Sequence, residues 1–184
     1  MSRSRVARAA RIARADGVIA YPTEAVFGLG CLPRDRKAVM RLLAIKRRSW
    51  QKGLILVAAD FRELEPYVLL PPEPRRSEIL ATWPGPNTWV LDARADAPRW
   101  ITGGRASVAV RVTAHPLAAE LCRAFGGALV STSANRHGEA PARTAGAVRD
   151  AFGDEIDVVL NGSVGGLERP TPIRDAISGD TVRF

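Results

Sequence analysis

AIKRRSWQKGLILVAA, residues 44 to 59, changes its period part-way along. Up to Lys46 it completes a helical pattern in which Val39, Leu42, Leu43 and Ile45 fall largely on one side. From Leu54 it becomes a continuous apolar run of strand length. Between the two lie four cations (Lys46, Arg47, Arg48, Lys52) and one tryptophan, Trp50. A helix that feeds a buried strand through a basic loop predicts an α/β fold with an anion at the junction.

Upstream, Val6, Ala9, Ala10, Ile12 and Ala13 recur at helical spacing between arginines. The segment is Arg-rich and acid-poor, as transit peptides are, yet this spacing predicts the first helix of the fold. Gly17 is expected to stop that helix directly before a buried strand, GVIAY (17 to 21), which Pro22 ends.

Downstream, 65 to 76 reads as a proline-punctuated surface connection before a short helix near Ser77 to Ala81. WPGP (83 to 86) is a turn feeding the strand TWVLDA, and SVAVRV (107 to 112) alternates as a second strand. Pro116 opens a helix to Phe125 that Gly126 and Gly127 close, and ALVST follows as a strand. Thr144 caps a helix to Phe152, and IDVVLNG, PIRDAIS and DTVRF are read as closing strands. This alternation predicts a single α/β domain over residues 1–184, a twisted mixed sheet of parallel and antiparallel strands with flanking helices.

The longest apolar runs are strand-length, which excludes a helical membrane span and predicts a soluble, cytoplasmic protein. The formal net charge of +8 predicts attraction to RNA, DNA or nucleotides, although plentiful Ala, Arg, Gly and Pro fit compositional bias equally well. Cys31 and Cys122 are far apart, and with only two histidines no four-ligand zinc cluster is expected. Both cysteines are expected to be buried or half-buried thiols.

Three segments gather polar groups where an α/β sheet binds ligands. In YPTEAVFGLG (21 to 30), Thr23 is either a helix N-cap or a hydroxyl donor to a ligand carboxylate or phosphate. Gly28 and Gly30 lack the third glycine of a dinucleotide fingerprint. In the basic loop, the helix dipole stabilises one or two cations, not four. Lys46-x-Arg48 can aim two donors at one polyanionic group. Trp50 is either a base-stacking platform or a partly buried anchor. In STSAN (131 to 135), Ser131, Thr132, Ser133 and Asn135 serve local turns or donate to phosphate. Arg111, a strand arginine among apolar neighbours, needs an anion and suits a carboxylate or phosphate clamp.

No GxSxG elbow, Ser–His–Asp set or catalytic carboxylate pair is present in the sequence pattern. Anion-binding groups outnumber any acid or base, which favours phosphate chemistry by positioning and charge neutralisation. The residues alone reach as far as a nucleotide or nucleic-acid binder.

Taken together, YPTEAVFGLGC, Lys46-x-Arg48 with KGLILVAA, WPGP, SVAVRV with His115-Pro116, STSAN and IRDAISG resemble the YrdC/TsaC family of threonylcarbamoyl-AMP synthases. The chain departs from that pattern at Ser49, Lys52-Gly53 and Asn87. The resemblance implies a YrdC-like fold and a reaction of L-threonine, bicarbonate and ATP that gives threonylcarbamoyl-adenylate and pyrophosphate. It further implies Mg2+ accompanying ATP, no protein-held metal, and a product used for t6A at position 37 of ANN-decoding tRNAs. Possible partners are then tRNA or double-stranded RNA and other enzymes of the t6A pathway. By position, Lys46 and Arg48 are implied in catalysis and phosphate binding, and Ser133 and Asn135 in nucleotide binding. Ser131 and Arg174 join the nucleotide set, and Thr23 and Arg111 fall near threonine. The competing expectation is a non-catalytic RNA binder of the same fold.

Overall fold

The computed structural model describes residues 2–182. Ten strands pair into one mixed sheet in the order β10-β9-β5-β6-β3-β7-β2-β1-β8, with β4 added beside β5. In chain order they are β1 (Ile19–Pro22), β2 (Phe27–Gly30), β3 (Ile55–Ala58), β4 (Val68–Leu69) and β5 (Thr88–Ala93). Then come β6 (Ser107–Val112), β7 (Leu129–Ser133), β8 (Val158–Val159), β9 (Ile173–Asp175) and β10 (Thr181–Val182). The pairs β3–β6, β1–β8 and β5–β9 are parallel; the other pairs are antiparallel.

Successive strand residues point to opposite faces, and the two faces are covered differently. On the first, Ala20, Phe27, Leu29, Leu56, Ala58, Val108, Val110 and Val130 pack in one buried cluster. Its cover is α2 (Arg36–Lys46), α3 (Arg75–Ala81), α4 (Arg99–Thr102) and α6 (Ala145–Phe152), through Leu42, Ile79, Ile101 and Val148 among others. On the second face, Ile19, Tyr21, Val57 and Leu129 pack under α1 (Ser2–Arg14) and α5 (Pro116–Phe125). The contact side of α1 is Val6, Ala9, Ala10 and Ala13, so mostly methyl-sized groups meet α5 and the sheet closely. Arg14 ties the two helices together by donating to the carbonyls of Phe125 and Ala124 at the end of α5. These two helices cover only part of the second face.

Local signals explain several helix starts. Asp35 caps α2 by accepting from the Ala38 N–H at 3.0 Å, and Thr144 caps α6 from Ala147 at 3.1 Å. His115 Nδ1 accepts from the Ala118 N–H at 3.3 Å to cap α5. His115 Nε2 lies 3.0 Å from the Ser163 carbonyl, and the Nε2–H tautomer satisfies both contacts. Both cysteines are buried, and that burial pushes their thiols above the usual range.

Several sequence expectations change. Asp16, not Gly17, carries the left-handed backbone after α1, at φ 63°. Residues 21–30 form no helical turn: β1 and β2 are a hairpin, with Tyr21 opposite Gly28 and Ile19 opposite Gly30. Gly30 is required there, because a Cβ would lie 2.5 Å from the Val130 carbonyl and 2.8 Å from the Tyr21 ring. The surface connection at 65–76 contains β4, α3 starts at Arg75, and the segment before SVAVRV contains α4. IDVVLNG contributes only Val158 and Val159 to the sheet, and the end of DTVRF lies outside the described residues.

Candidate active site

The uncovered part of the second face is a cavity of about 370 Å3, within the usual range for small-molecule sites, about 300–1,000 Å3. Register places its walls. Val57 pairs with Arg111, Ile55 with Ser131 and Gly28 with Ser133, so Ile55, Arg111, Gly28, Ser131 and Ser133 share one face. Thr23 from the hairpin turn, Arg48 from the basic loop, Asn135 after β7 and Thr171 complete its polar rim. Among the described residues, no Asp or Glu lines it. A second hollow of about 510 Å3 adjoins it through Arg48 and is lined by Lys52, Arg105, His137 and Asp175 among others.

Arg48 therefore stands between two basins. Its Nη2 donates to the Gly53 carbonyl at 3.2 Å, whereas its buried Nε has no acceptor. Burial, and then the neighbouring charge of Arg105, hold its pKa below the usual arginine value. A buried unpaired donor costs about 1–3 kcal/mol, which a ligand oxygen would relieve.

Lys46 departs from the sequence expectation of an alternating pair in a loop. It is the last residue of α2, it is buried, and it does not line either hollow. The left-handed conformation of Arg47, φ 51° and ψ 46°, turns the chain so that Lys46 and Arg48 diverge. Lys46 Nζ donates to the carbonyls of Ser133 and Asn135, the latter at 2.7 Å, and so ties α2 to the end of β7. Burial, and then the charge of Arg48, pull its pKa down to about 8.

The Ser133–Asn135 segment combines both roles its composition allows. Ser133 Oγ donates to Asn135 Oδ1 at 2.5 Å, and Asn135 Nδ2 donates to the carbonyls of Arg136 and Glu139, each at 2.9 Å. The amide is thus spent shaping the 136–139 loop, while both side chains still border the cavity. Arg136 backs this loop, donating to the Ile45 carbonyl at 2.8 Å and pairing with Glu155.

At the other end, Arg111 is 5 % exposed. Its Nη1 donates to Thr171 Oγ1 at 2.6 Å and to Thr88 Oγ1 at 3.2 Å. Its Nη2 lies 3.4 Å from Glu24 Oε2 in a buried ion pair, and its Nε has no partner. Thr23 is not a helix cap: its backbone N–H and its hydroxyl both donate to the Val26 carbonyl, at 3.0 and 2.7 Å. The segment 161–172 closes this end. The Gly165 N–H donates to the Thr23 carbonyl at 2.9 Å and the Leu167 N–H to the Glu24 carbonyl at 3.2 Å.

The structure thus brings Thr23, Arg48, Arg111, Ser131, Ser133 and Asn135 to one cavity, with Lys46 buttressing it from behind. Arg174 stands apart. Ile173 pairs with Thr88 and Arg174 with Trp89, so Ile173 faces the cavity while Arg174 is exposed on the opposite side. Trp50 is a half-buried anchor against the first-face core and lines neither hollow. Sequence reasoning missed Thr88, Thr171 and Glu24, whose partner Arg111 is remote in the chain.

Residues 11–183 match the family model of Sua5, YciO and YrdC, described as telomere recombination. The threonylcarbamoyl-AMP synthase of Halorhodospira halophila is 58% identical over 179 residues, covering 97% of this chain and 94% of that one. The chain belongs to the Sua5/YciO/YrdC family. A second member, the threonylcarbamoyl-AMP synthase of Alkalilimnicola ehrlichii, is 55% identical over 184 residues, covering 98% of this chain and 96% of its own. Of solved family structures, P. abyssi Sua5 complexed with L-threonine superposes with a TM-score of 0.88 at 33% identity. That match covers 95% of this chain and 52% of the P. abyssi chain.

Proposed function

We propose that this chain is an L-threonylcarbamoyladenylate synthase, converting L-threonine, bicarbonate and ATP to threonylcarbamoyl-AMP, pyrophosphate and water. The observation that carries this is one cavity with a phosphate-type cation, Arg48, on one wall and a buried carboxylate-type cation, Arg111, on another. A nucleotide and an amino acid need such separate anion sites in one space. Threonine's amine takes up bicarbonate as a carbamate with loss of water. A carbamate oxygen then attacks the α-phosphorus of ATP, and the bond to pyrophosphate breaks. No covalent enzyme intermediate is required. Positioning and charge neutralisation supply the acceleration.

Arg48 is the group proposed to touch the phosphates, with Ser131, Ser133 and Asn135 beside the nucleotide. Lys46 is proposed as a positioning residue that sets the Ser133–Asn135 edge and adds charge beneath it. Arg111 and Thr23 are proposed to hold threonine. Magnesium enters in this proposal with ATP as part of the substrate. Among the described residues no group of three or more His, Cys, Asp or Glu side chains could hold it, and a wall without carboxylates suits phosphate-borne metal.

The proposed use of the product is t6A at position 37 of ANN-decoding tRNAs, with the later t6A enzymes and tRNA as partners in the cytoplasm. No helix among the described residues is long and apolar enough to cross a membrane. A purely RNA-binding role would explain the basic loop but leave the buried Arg111 clamp without a purpose. The test is pyrophosphate release from MgATP with and without threonine in bicarbonate buffer. Release requiring both is expected; release indifferent to threonine, or none from folded protein, overturns the assignment.

A further inference from the structure

Glu24 sits at the turn of the β1–β2 hairpin, 7% exposed, and it is absent from the cavity wall. One carboxyl oxygen, Oε1, accepts from Thr113 Oγ1 at 2.6 Å, and the same Thr113 hydroxyl accepts from the His115 N–H at 3.1 Å. The other, Oε2, lies 3.4 Å from Arg111 Nη2 and is buried without a hydrogen bond. Among the described residues, Glu24 is the carboxyl group within ion-pair reach of Arg111. A carboxyl group this buried, with one oxygen left unsatisfied, calls for an explanation beyond packing.

We infer that Glu24 is a positioning residue for the threonine clamp, holding the Arg111 guanidinium in its cavity-facing orientation. This rests on the reading of the cavity as the threonine site. A guanidinium cannot shed its proton, so burying it needs a counter-charge. Thr88 and Thr171 hydroxyls fix the direction of Nη1 but are neutral, and among the described residues Glu24 is the ion-pair partner that offsets the charge. The Glu24 backbone adds a second hold: its carbonyl secures Leu167 of the segment that delivers Thr171. One residue therefore supplies the counter-charge to Arg111 and secures the segment that carries one of its two hydroxyl partners, Thr171. Without its charge, the arginine side chain spreads over other rotamers, and threonine must order it on binding.

The experiment compares wild type, Glu24→Gln, Glu24→Asp and Thr113→Val by L-threonine titration calorimetry and by separate KM values for threonine and ATP. In parallel, the 15N signal of the Arg111 Nε–H, assigned by its loss in Arg111→Lys, reports solvent exchange of that group without any substrate. Glu24→Gln is expected to raise the threonine Kd and KM by about tenfold, the scale of losing one charge-assisted contact, with the ATP KM unchanged. Its Arg111 signal should exchange faster than in wild type. Glu24→Asp should recover part of the loss. Thr113→Val, which frees Glu24 while keeping its charge, should move threonine binding the same way by less, and keeps the test open if Glu24→Gln folds poorly. Threonine affinity unchanged or tighter in folded Glu24→Gln, or an Arg111 signal as protected as in wild type, overturns the proposal. A wild-type chain that binds no threonine overturns the reading of the cavity and the substrate half of the proposal, while the arginine signal still decides whether Glu24 holds Arg111.

Discussion

Two residues along a strand separate structure from chemistry on the second face of this sheet. On β7, Leu129 packs in the cluster formed with α1 and α5, and Ser131 borders the cavity. On β3 the order is reversed: Val57 lies in the cluster and Ile55 borders the cavity. The strands stay paired through both halves. What changes is whether helices lie over them. Apolar side chains fill the covered half, and the bare half gathers hydroxyls, a glycine and two cations that have no carboxylate on the cavity wall to balance them. A sheet face that two helices only partly cover is therefore enough to make a site, provided its uncovered positions can be left polar.

The sharpest way to break that division is to truncate a residue on each side of it. Leu129→Ala should cost about 2–5 kcal/mol of stability, seen as a lower Tm, with the turnover of the remaining folded molecules unchanged. Arg48→Ala and Lys46→Ala should do the reverse. Each is expected to lose at least about tenfold in adenylate formation, Arg48→Ala through a lost charge-assisted phosphate contact and Lys46→Ala through the loosened Ser133–Asn135 edge and the charge lost beneath it. Circular dichroism should report an intact fold in both. A wild-type rate in Arg48→Ala would erase the distinction between the halves.

Within the bare half, truncating Arg111 should raise the threonine requirement more than the ATP requirement, by about tenfold for one buried charged contact. Steady-state titrations of each substrate separate the two. The opposite pattern would move Arg111 to the phosphates. A smaller effect is expected from pH. Lys46, with its pKa near 8, carries its charge below that value and loses it above. The rate should therefore fall as pH rises through about 8, and a profile flat across that region would remove Lys46's charge from the site.

Much of this is legible in the sequence. The period change at 44–59 placed α2, the basic loop and β3, and the cap Thr144 and the first-turn Pro116 marked their helices. The hairpin was not legible. FGLG has two glycines where a strand pattern wants side chains, and the reason for the second, Gly30, lies in the close approach of Tyr21 and the Val130 carbonyl. Lys46 and Arg48 looked like one alternating pair because a left-handed Arg47 carries no mark in the sequence. Glu24 was hidden for another reason. Its partner lies three strands away across the sheet, and only the order β6-β3-β7-β2 brings the two together.

The most direct test is a structure of the chain with L-threonine and a non-hydrolysable ATP analogue. The account predicts the threonine carboxylate within hydrogen-bond distance of Arg111 and phosphate oxygens at Arg48, both inside the uncovered half of the second face. Ligands seated elsewhere, or phosphates at Arg111 with threonine at Arg48, would contradict it.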